Sequence, residues 1–261
     1  MNQQNLLKIL KRAEGTWGVV IKHVGKDVVF EYNADAEFPA ASVGKVPIAL
    51  YIFHLAEIGG IDLTQMIEVK KENHLPGTGI LQFMTPGLKL PLSDLLKLML
   101  ITSDNTAAKL LAHIVGPEKI NAYLKSVGFE KTQLGIHDEQ FDFGVTTPHE
   151  IALLLEGICT SAFLNKENSD ALLGIMKKCE NQLSIRRYLP HDTSLGKKLE
   201  VANKGGALDD VRHDVGIVFA QEPYVIAVLS KEIKDHSYKP DNAGVLTIAQ
   251  LSKEAYTQLE P

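Results

Sequence analysis

Phe38-Pro39-Ala40-Ala41-Ser42-Val43-Gly44-Lys45 is the stretch on which the reading of this chain turns. Its small residues run straight into an apolar segment, Val46 to Ile58, of helical length. The only proline there, Pro47, falls in the first turn, where a missing N–H does no harm. Ser42 is therefore expected at or just before a helix N-terminus, with Lys45 one turn on. Residues three apart share a helix face, so the Lys45 ammonium reaches the Ser42 hydroxyl. A serine becomes a nucleophile when a neighbouring base takes its proton, and a lysine can be that base if burial and nearby cations lower its pKa. The helix N-terminus also points backbone N–H groups at a developing oxyanion. Alone, the pair reads equally as a capping serine beside a solvated lysine, so the rest of the chain has to decide.

Upstream, Leu6, Leu7, Ile9 and Leu10 give a short amphipathic helix its apolar face. Thr16 to Val24 and Val28 to Tyr32 are β-forming runs joined by Gly25-Lys26-Asp27, a helix followed by a hairpin. From Ile61 to about Leu195 the periodicity is mostly helical: Leu92 to Leu100, Thr106 to Val115, and Pro117 to Gly128. A further helix opens at Thr147-Pro148-His149-Glu150, with Thr147 as cap and Glu150 closing a capping box. Ser169 to Cys179 reads as another. The last third returns to strands at Leu199–Lys204, Asp214–Phe219 and Tyr224–Ser230, then a helix from Ala243 to Leu259. Gly205-Gly206 after Lys204 reads as a strand ending in a turn. The class expected is α+β, with an antiparallel sheet built from both termini, flanked by the terminal helices, and an inserted helical subdomain. The boundaries expected are 1–41 and 198–261 for the sheet part and 42–197 for the helical part, with a cleft between them.

Composition narrows the function. The chain has 261 residues and a formal net charge of −5, and its pI near 6.0 argues against a nucleic-acid partner. No apolar run reaches membrane-spanning length. The N-terminus lacks the order of a secretory leader, so the expected location is cytoplasmic, or exported if a leader was trimmed. Cys159 and Cys179 have no metal-type spacing; they could pair, but read better as buried free thiols. A small-molecule substrate and a monomer are expected.

Two further stretches answer to Ser42 and Lys45. Ser103-Asp104-Asn105 sits between two helices, and Lys204-Gly205-Gly206-Ala207 ends a late strand, where glycines let a ligand approach the backbone closely. Each is common on its own. Together, Ser-x-x-Lys, Ser-Asp-Asn and Lys-x-Gly in this order make the chain resemble the class A β-lactamase-like serine hydrolases, a superfamily shared with penicillin-binding proteins. The resemblance covers nearly the whole length, Thr146-Thr147-Pro148 included. It implies that Ser42 attacks a carbonyl to give an acyl-enzyme, with Lys45 taking the proton. Backbone N–H groups of Ser42 and Ala207 would form the oxyanion hole. Ser103 would pass a proton to the leaving nitrogen, and Asn105 would bind the substrate amide and Lys45. Lys204, with Gly205, Gly206 and Arg212, would receive the substrate carboxylate. No cofactor is implied.

Two departures stand out. Gly205 replaces the hydroxyl residue usual after this lysine, which removes a hydrogen bond to the carboxylate, worth roughly 1.5–3 kcal/mol when charge-assisted. The family's Glu-x-x-Leu-Asn, whose glutamate activates the deacylating water, is missing from the shorter Gln133–Gly144 segment. Asp138, Glu139 or Asp142 could substitute, although each alone reads as a solvated loop acid. Losing a general base typically costs about 10²–10⁴-fold. The leading expectation is a β-lactam-opening serine hydrolase whose deacylation is slow. The alternatives are an esterase or D,D-peptidase with the same residues, and a β-lactam or peptidoglycan-fragment binder without turnover. His137, Asp138, Glu139 and His149 lack a chelating pattern, so no metal is expected. His213-Asp214 and His191-Asp192 lack the Gly-x-Ser-x-Gly elbow. Gly77-Thr78-Gly79 is not a phosphate loop. Arg186-Arg187 reads as a solvated helix face.

Overall fold

A computed structural model describes residues 3–137 and 140–260. In chain order it begins with α1 (Gln3–Arg12), β1 (Thr16–His23), β2 (Val28–Tyr32), the two-residue strand β3 (Phe38–Pro39) and a 3-10 turn over Ala41–Gly44. Then come α2 (Lys45–Glu57), β4 (Met66–Val69), β5 (Leu88–Pro91), α3 (Leu92–Ile101), α4 (Asn105–Val115) and α5 (Pro117–Ser126). After β6 (Gln133–His137) and β7 (Gln140–Thr146) follow α6 (Pro148–Cys159) and α7 (Lys166–Met176). The chain closes with β8 (Glu200–Leu208), β9 (Val211–Phe219), β10 (Tyr224–Lys231) and α8 (Ala243–Leu259).

The main sheet has the order β2-β1-β10-β9-β8 and is antiparallel throughout. β1 lies against β10 from Thr16↔Lys231 to His23↔Tyr224, so the two ends of the chain make one sheet. The α+β class expected from the sequence is the class observed. Side chains alternate across a strand, and here the alternation divides the core in two. Val19 and Ile21 face one way, with Ile226, Val228 and Val218, and bury Leu6 and Leu10 of α1 and Ile248, Leu251 and Ala255 of α8. Val20 faces the other way, with Val225, Ala227, Leu229 and Val215, into the cluster formed by the helices. α2 runs through that cluster and is buried at every position from Lys45 to Phe53, as a helix that is apolar all round must be.

The segment between the two ends is less purely helical than its periodicity suggested. β4 and β5 form a two-stranded ribbon, and β3, β7 and β6 a small sheet in which Phe38 pairs with Thr146 and Pro39 with Val145. The stretch 133–144, read as a loop, is largely strand; its alternation is interrupted at the β6–β7 irregularity between Gln133 and Gly135, which hides the period. Thr147 caps α6 by accepting from Glu150 N at 3.1 Å, as expected. The reciprocal half of the capping box is not made. The Glu150 carboxylate instead accepts from the backbone N–H groups of Glu130, Lys131 and Thr132. Although partial burial opposes it, those bonds hold Glu150 below the ordinary carboxylate pKa.

The late strands are longer than expected. β8 does not stop at Lys204 but continues through both glycines, pairing Gly205 with Asp214 and Gly206 with His213, and the chain turns at Asp209-Asp210. Neither glycine has a positive φ; they supply space, not a turn. Arg186 is half-buried rather than solvated and lies on no helix. Its guanidinium donates to Asn203 Oδ1 at 3.0 Å, to Lys177 O at 2.8 Å and to Val201 O. Cys159 and Cys179 are unpaired, the latter buried. Among the described residues no helix is long and apolar enough to cross a membrane.

Candidate active site

Three structural elements bring the site together. The 3-10 turn presents Ser42 and hands the chain to α2, whose first residue is Lys45. The α3–α4 junction supplies Ser103 and Asn105. β8 supplies Lys204 and passes so close to the turn that a Cβ on Gly206 would sit 3.2 Å from Ser42 N and 3.2 Å from Ala41 Cβ. A side chain at 206 would therefore hold the strand away from Ser42.

Lys45 is completely buried, and its Nζ has four oxygen neighbours. They are Ser42 Oγ at 3.1 Å, Ser103 Oγ at 3.0 Å, Ser103 O at 2.5 Å and Asn105 Oδ1 at 2.7 Å. Burial is the main cause that lowers its pKa, and the Lys204 charge adds to it, to about 6, against a smaller opposing pull from Asp104. A neutral amine has two N–H groups and one lone pair. The two carbonyl-type oxygens, Ser103 O and Asn105 Oδ1, can only accept, so they take both N–H groups. The lone pair is left for a hydroxyl, the arrangement a base needs before it takes a proton from Ser42. Lys204 is also buried, and its pKa is lowered by desolvation first. Its Nζ donates to Ser103 Oγ at 2.9 Å and to Gly205 O at 2.8 Å. Ser103 Oγ thus stands between two amines, one on α2 and one on β8.

Backbone strain aims this group. Ser103 has φ 57°, in the left-handed region, a conformation that costs a non-glycine residue about 1–3 kcal/mol. Asp104 holds it there: as the α4 cap it accepts from Ala107 N at 2.9 Å and also from Ile80 N and Leu81 N at 2.7 and 2.9 Å. Those bonds fasten the loop at 76–81 over the junction. Thr78 Oγ1 donates to Ser103 O at 2.6 Å, and Asn105 Nδ2 to Pro76 O at 3.1 Å. Gly77-Thr78-Gly79 fits here because a Cβ at Gly79 would lie 2.3 Å from the Asp104 side chain and one at Gly77 2.4 Å from Asn105 Nδ2. Sequence reading dismissed this tripeptide as a phosphate loop. Its two glycines around a hydroxyl were the available sign of a tight, functional turn.

Ser42, Ser103, Asn105, Lys204, Gly205, Gly206, Ala207 and Arg212 all line one cavity of about 630 Å³, with Lys45 buried behind Ser42. Residues that sequence reading missed line it too: Thr78, Phe143, Glu180, Asn181 and Tyr238. The Phe143 ring lies 4.8 Å from Lys45 Nζ. Arg212 is present but engaged. Its Nη atoms donate to the carbonyl oxygens of Val211 and Ser237, each at 2.6 Å, and of Leu208, while its guanidinium stacks 4.6 Å over Tyr238. Of the three acids weighed for deacylation, Asp142 is exposed, accepts from Gly144 N, packs over Gly135 of its own hairpin and does not line the cavity. Asp138 and Glu139 lie outside the described residues.

The histidine–aspartate pairs do other work. His213 Nδ1 accepts from Ser230 N at 3.0 Å, so its Nε2 carries the proton and donates to Pro39 O at 2.7 Å. Burial lowers its pKa to about 4, and the neutral ring ties β9 to the residues just before Ser42. Asp214 is buried and accepts from Asn203 Nδ2, Asn181 Nδ2 and Ile185 N. The side chains of His191 and Asp192 bond to each other at 2.8 Å on the surface, away from Ser42 and the cavity lining. Among the described residues no cluster of His, Cys, Asp or Glu is arranged to hold a metal ion.

The chain belongs to the beta-lactamase enzyme family, whose model matches residues 2–259. It is 28% identical over 216 residues to Beta-lactamase CTX-M-97 of Escherichia coli, covering 79% of this chain and 74% of that protein. Among solved structures it superposes on a beta-lactamase from Sphaerobacter thermophilus with a TM-score of 0.89 at 28% identity, covering 100% of both chains. It also superposes on PBP-A with a TM-score of 0.87 at 25% identity, covering 99% of this chain and 95% of the other.

Proposed function

We propose that this chain opens β-lactam amides through an acyl-enzyme on Ser42, and that deacylation is the slower half of the reaction. The observation that carries the reading is the buried Lys45 amine, 3.1 Å from Ser42 Oγ with its pKa lowered to about 6. As Ser42 Oγ attacks the lactam carbonyl carbon, its proton passes to Lys45 Nζ. The carbonyl oxygen becomes an oxyanion between the backbone N–H groups of Ser42 and Ala207; removing one such donor typically costs about 2.7–4 kcal/mol. The tetrahedral carbon then expels the ring nitrogen. That nitrogen takes a proton from Ser103 Oγ, which the adjacent Lys45 ammonium makes good. An ester on Ser42 remains, and water must cleave it. Asp142 turns onto its own hairpin, which supports slow release.

Mixing the protein with a chromogenic β-lactam and recording colour and intact mass tests this. The expected result is a rapid burst matching the enzyme concentration, an adduct on Ser42, and slow turnover; Ser42→Ala should lose all three. Colour release that survives in Ser42→Ala overturns the nucleophile. A permanent adduct makes the chain a binder without turnover, and turnover of D-amino-acid esters without any lactam adduct makes it a peptidase or esterase.

A further inference from the structure

The departure at Gly205 is filled by another part of the chain. A Cβ built on Gly205 would lie 2.3 Å from Asn181 Nδ2, 3.1 Å from Asn181 Cγ and 3.5 Å from Asn181 Cβ. The carboxamide of Asn181 therefore occupies the volume that a side chain at 205 would need. Both residues line the cavity. The amide is held by neighbours on two sides. Its Nδ2 donates to the buried Asp214 Oδ2 at 3.3 Å, its Oδ1 accepts from Leu183 N at 3.4 Å, and its backbone carbonyl accepts from Asn203 Nδ2 at 3.2 Å. One of the two N–H groups of Nδ2 goes to Asp214, and the second, beside Gly205, meets no acceptor among the described residues. Around it the cavity is cationic, with Lys204, Arg212 and Lys239 in its lining against Glu180 as the single acid there among the described residues. Because Arg212 gives its Nη groups to backbone carbonyls, it contributes charge more than directed hydrogen bonds.

We propose that Asn181 is a ligand-binding, specificity-determining residue. Its side-chain amide, seated over Gly205, donates an N–H to the carboxylate of the bound ligand beside Lys204, in the place of a hydroxyl side chain at position 205. Gly205 is then the partner of Asn181 rather than a lost contact: the two positions exchange one donor for another. This deepens the reading of Ser42 as the acylating nucleophile and relies on it for the kind of ligand, but its geometry does not depend on covalent chemistry.

The distances specify the test. Cutting Asn181 back to alanine leaves only its Cβ, at an ordinary 3.5 Å from a new Cβ at 205, so Gly205→Ser should be tolerated in Asn181→Ala and crowded in its presence. In a Ser42→Ala background, which cannot acylate, calorimetry measures the Kd of benzylpenicillin and of its carboxylate methyl ester. Adding Asn181→Ala is expected to weaken benzylpenicillin about tenfold or more, as for one hydrogen bond to a charged group, and to leave the ester within about twofold. Adding Gly205→Ser as well should recover most of the loss, and melting curves exclude unfolding. Equal losses for acid and ester, or none for the acid, overturn the proposal, as does failure of benzylpenicillin to bind at all. Intact mass of the wild type is read separately. An adduct with no Asn181 effect sinks this proposal alone; an Asn181 effect with no adduct sinks the acyl-enzyme alone.

Discussion

At the scale of single residues, the chemistry rests on the contrast between two lysines. Both are buried and both are pushed toward neutrality by desolvation, yet only Lys45 touches Ser42, the proposed nucleophile. On the proposed mechanism, acylation needs Lys45 unprotonated. Its rate should therefore be low in acid, rise with pH through about 6, and level off above. The Lys204 charge is one of the causes that lower Lys45. Lys204→Met removes it, so the Lys45 pKa must rise and the acylation profile move to higher pH, beyond any fall in the plateau. Single-turnover rates with a chromogenic lactam between pH 5 and 9 check this; a profile that keeps its midpoint would show that Lys45 is not the group being titrated. Ser42 and Lys45 were legible in the sequence because the pair obeys helix geometry. The low pKa was not, because it depends on burial by residues far away in the chain.

At the scale of elements, what could be read was whatever repeats. The terminal helices, the first hairpin and α2 to α6 carry clean periods and fall close to where periodicity put them. The misreading of the late strands has a physical cause: glycine has two uses and a sequence does not say which. Gly205 and Gly206 looked like a turn and are extended strand, chosen for the space they leave to Asn181 and Ser42. Gly144 does use its backbone freedom. It has φ 71°, its carbonyl accepts from Ala40 N at 2.8 Å, and a Cβ there would lie 1.8 Å from Gln133 O. The two kinds should fail differently. Gly144→Ala should lower stability by roughly 2–4 kcal/mol, seen as a fall in the denaturation midpoint. Gly206→Ala, where neighbours need give only slightly, should leave the midpoint nearly unchanged. It should still slow acylation by about 10–100-fold, as a displaced oxyanion donor would. Similar losses of stability in both variants would refute the distinction. Asn181 and Phe143 escaped sequence reading because no motif marks them; only the packing of separate elements makes them neighbours of Gly205 and Lys45.

At the scale of the whole molecule, the sheet separates two cores and the site lies where its β8 edge meets the helices. α1 and α8 cover the face opposite to the helical core, with only the start of α8, at Val245, reaching the cavity. Removing Ala243–Leu259 would expose Ile21, Ile226 and Val228 to water, at roughly 1.5–3 kcal/mol for each fully exposed aliphatic side chain. Such a chain should lose its cooperative melting transition and bind a hydrophobic dye; a truncated form that still melts sharply would show that the helical core stands without the sheet. Class and terminal sheet were legible because they follow from element order, and the family because Ser42-x-x-Lys45, Ser103-Asp104-Asn105 and Lys204-x-Gly206 occur in that sequence order. The cavity's lining was legible only in part, because it draws on 3-10 turn, loop, strand and the stretch after α7 together.

The pairing of β1 with β10 also sets when the protein can act. Ser42 leaves the ribosome early, whereas Lys204 follows about 160 residues later and the closing strand Tyr224–Lys231 later still. At roughly 5–20 residues per second, on the order of ten to thirty seconds separate Ser42 from the lysine on β8. During that interval no complete sheet exists to bury Lys45 against Lys204, so the two causes that lower the Lys45 pKa are not yet in place. On the acyl-enzyme reading, Ser42 gains its base only when β8, β9 and β10 have joined β1 in one sheet.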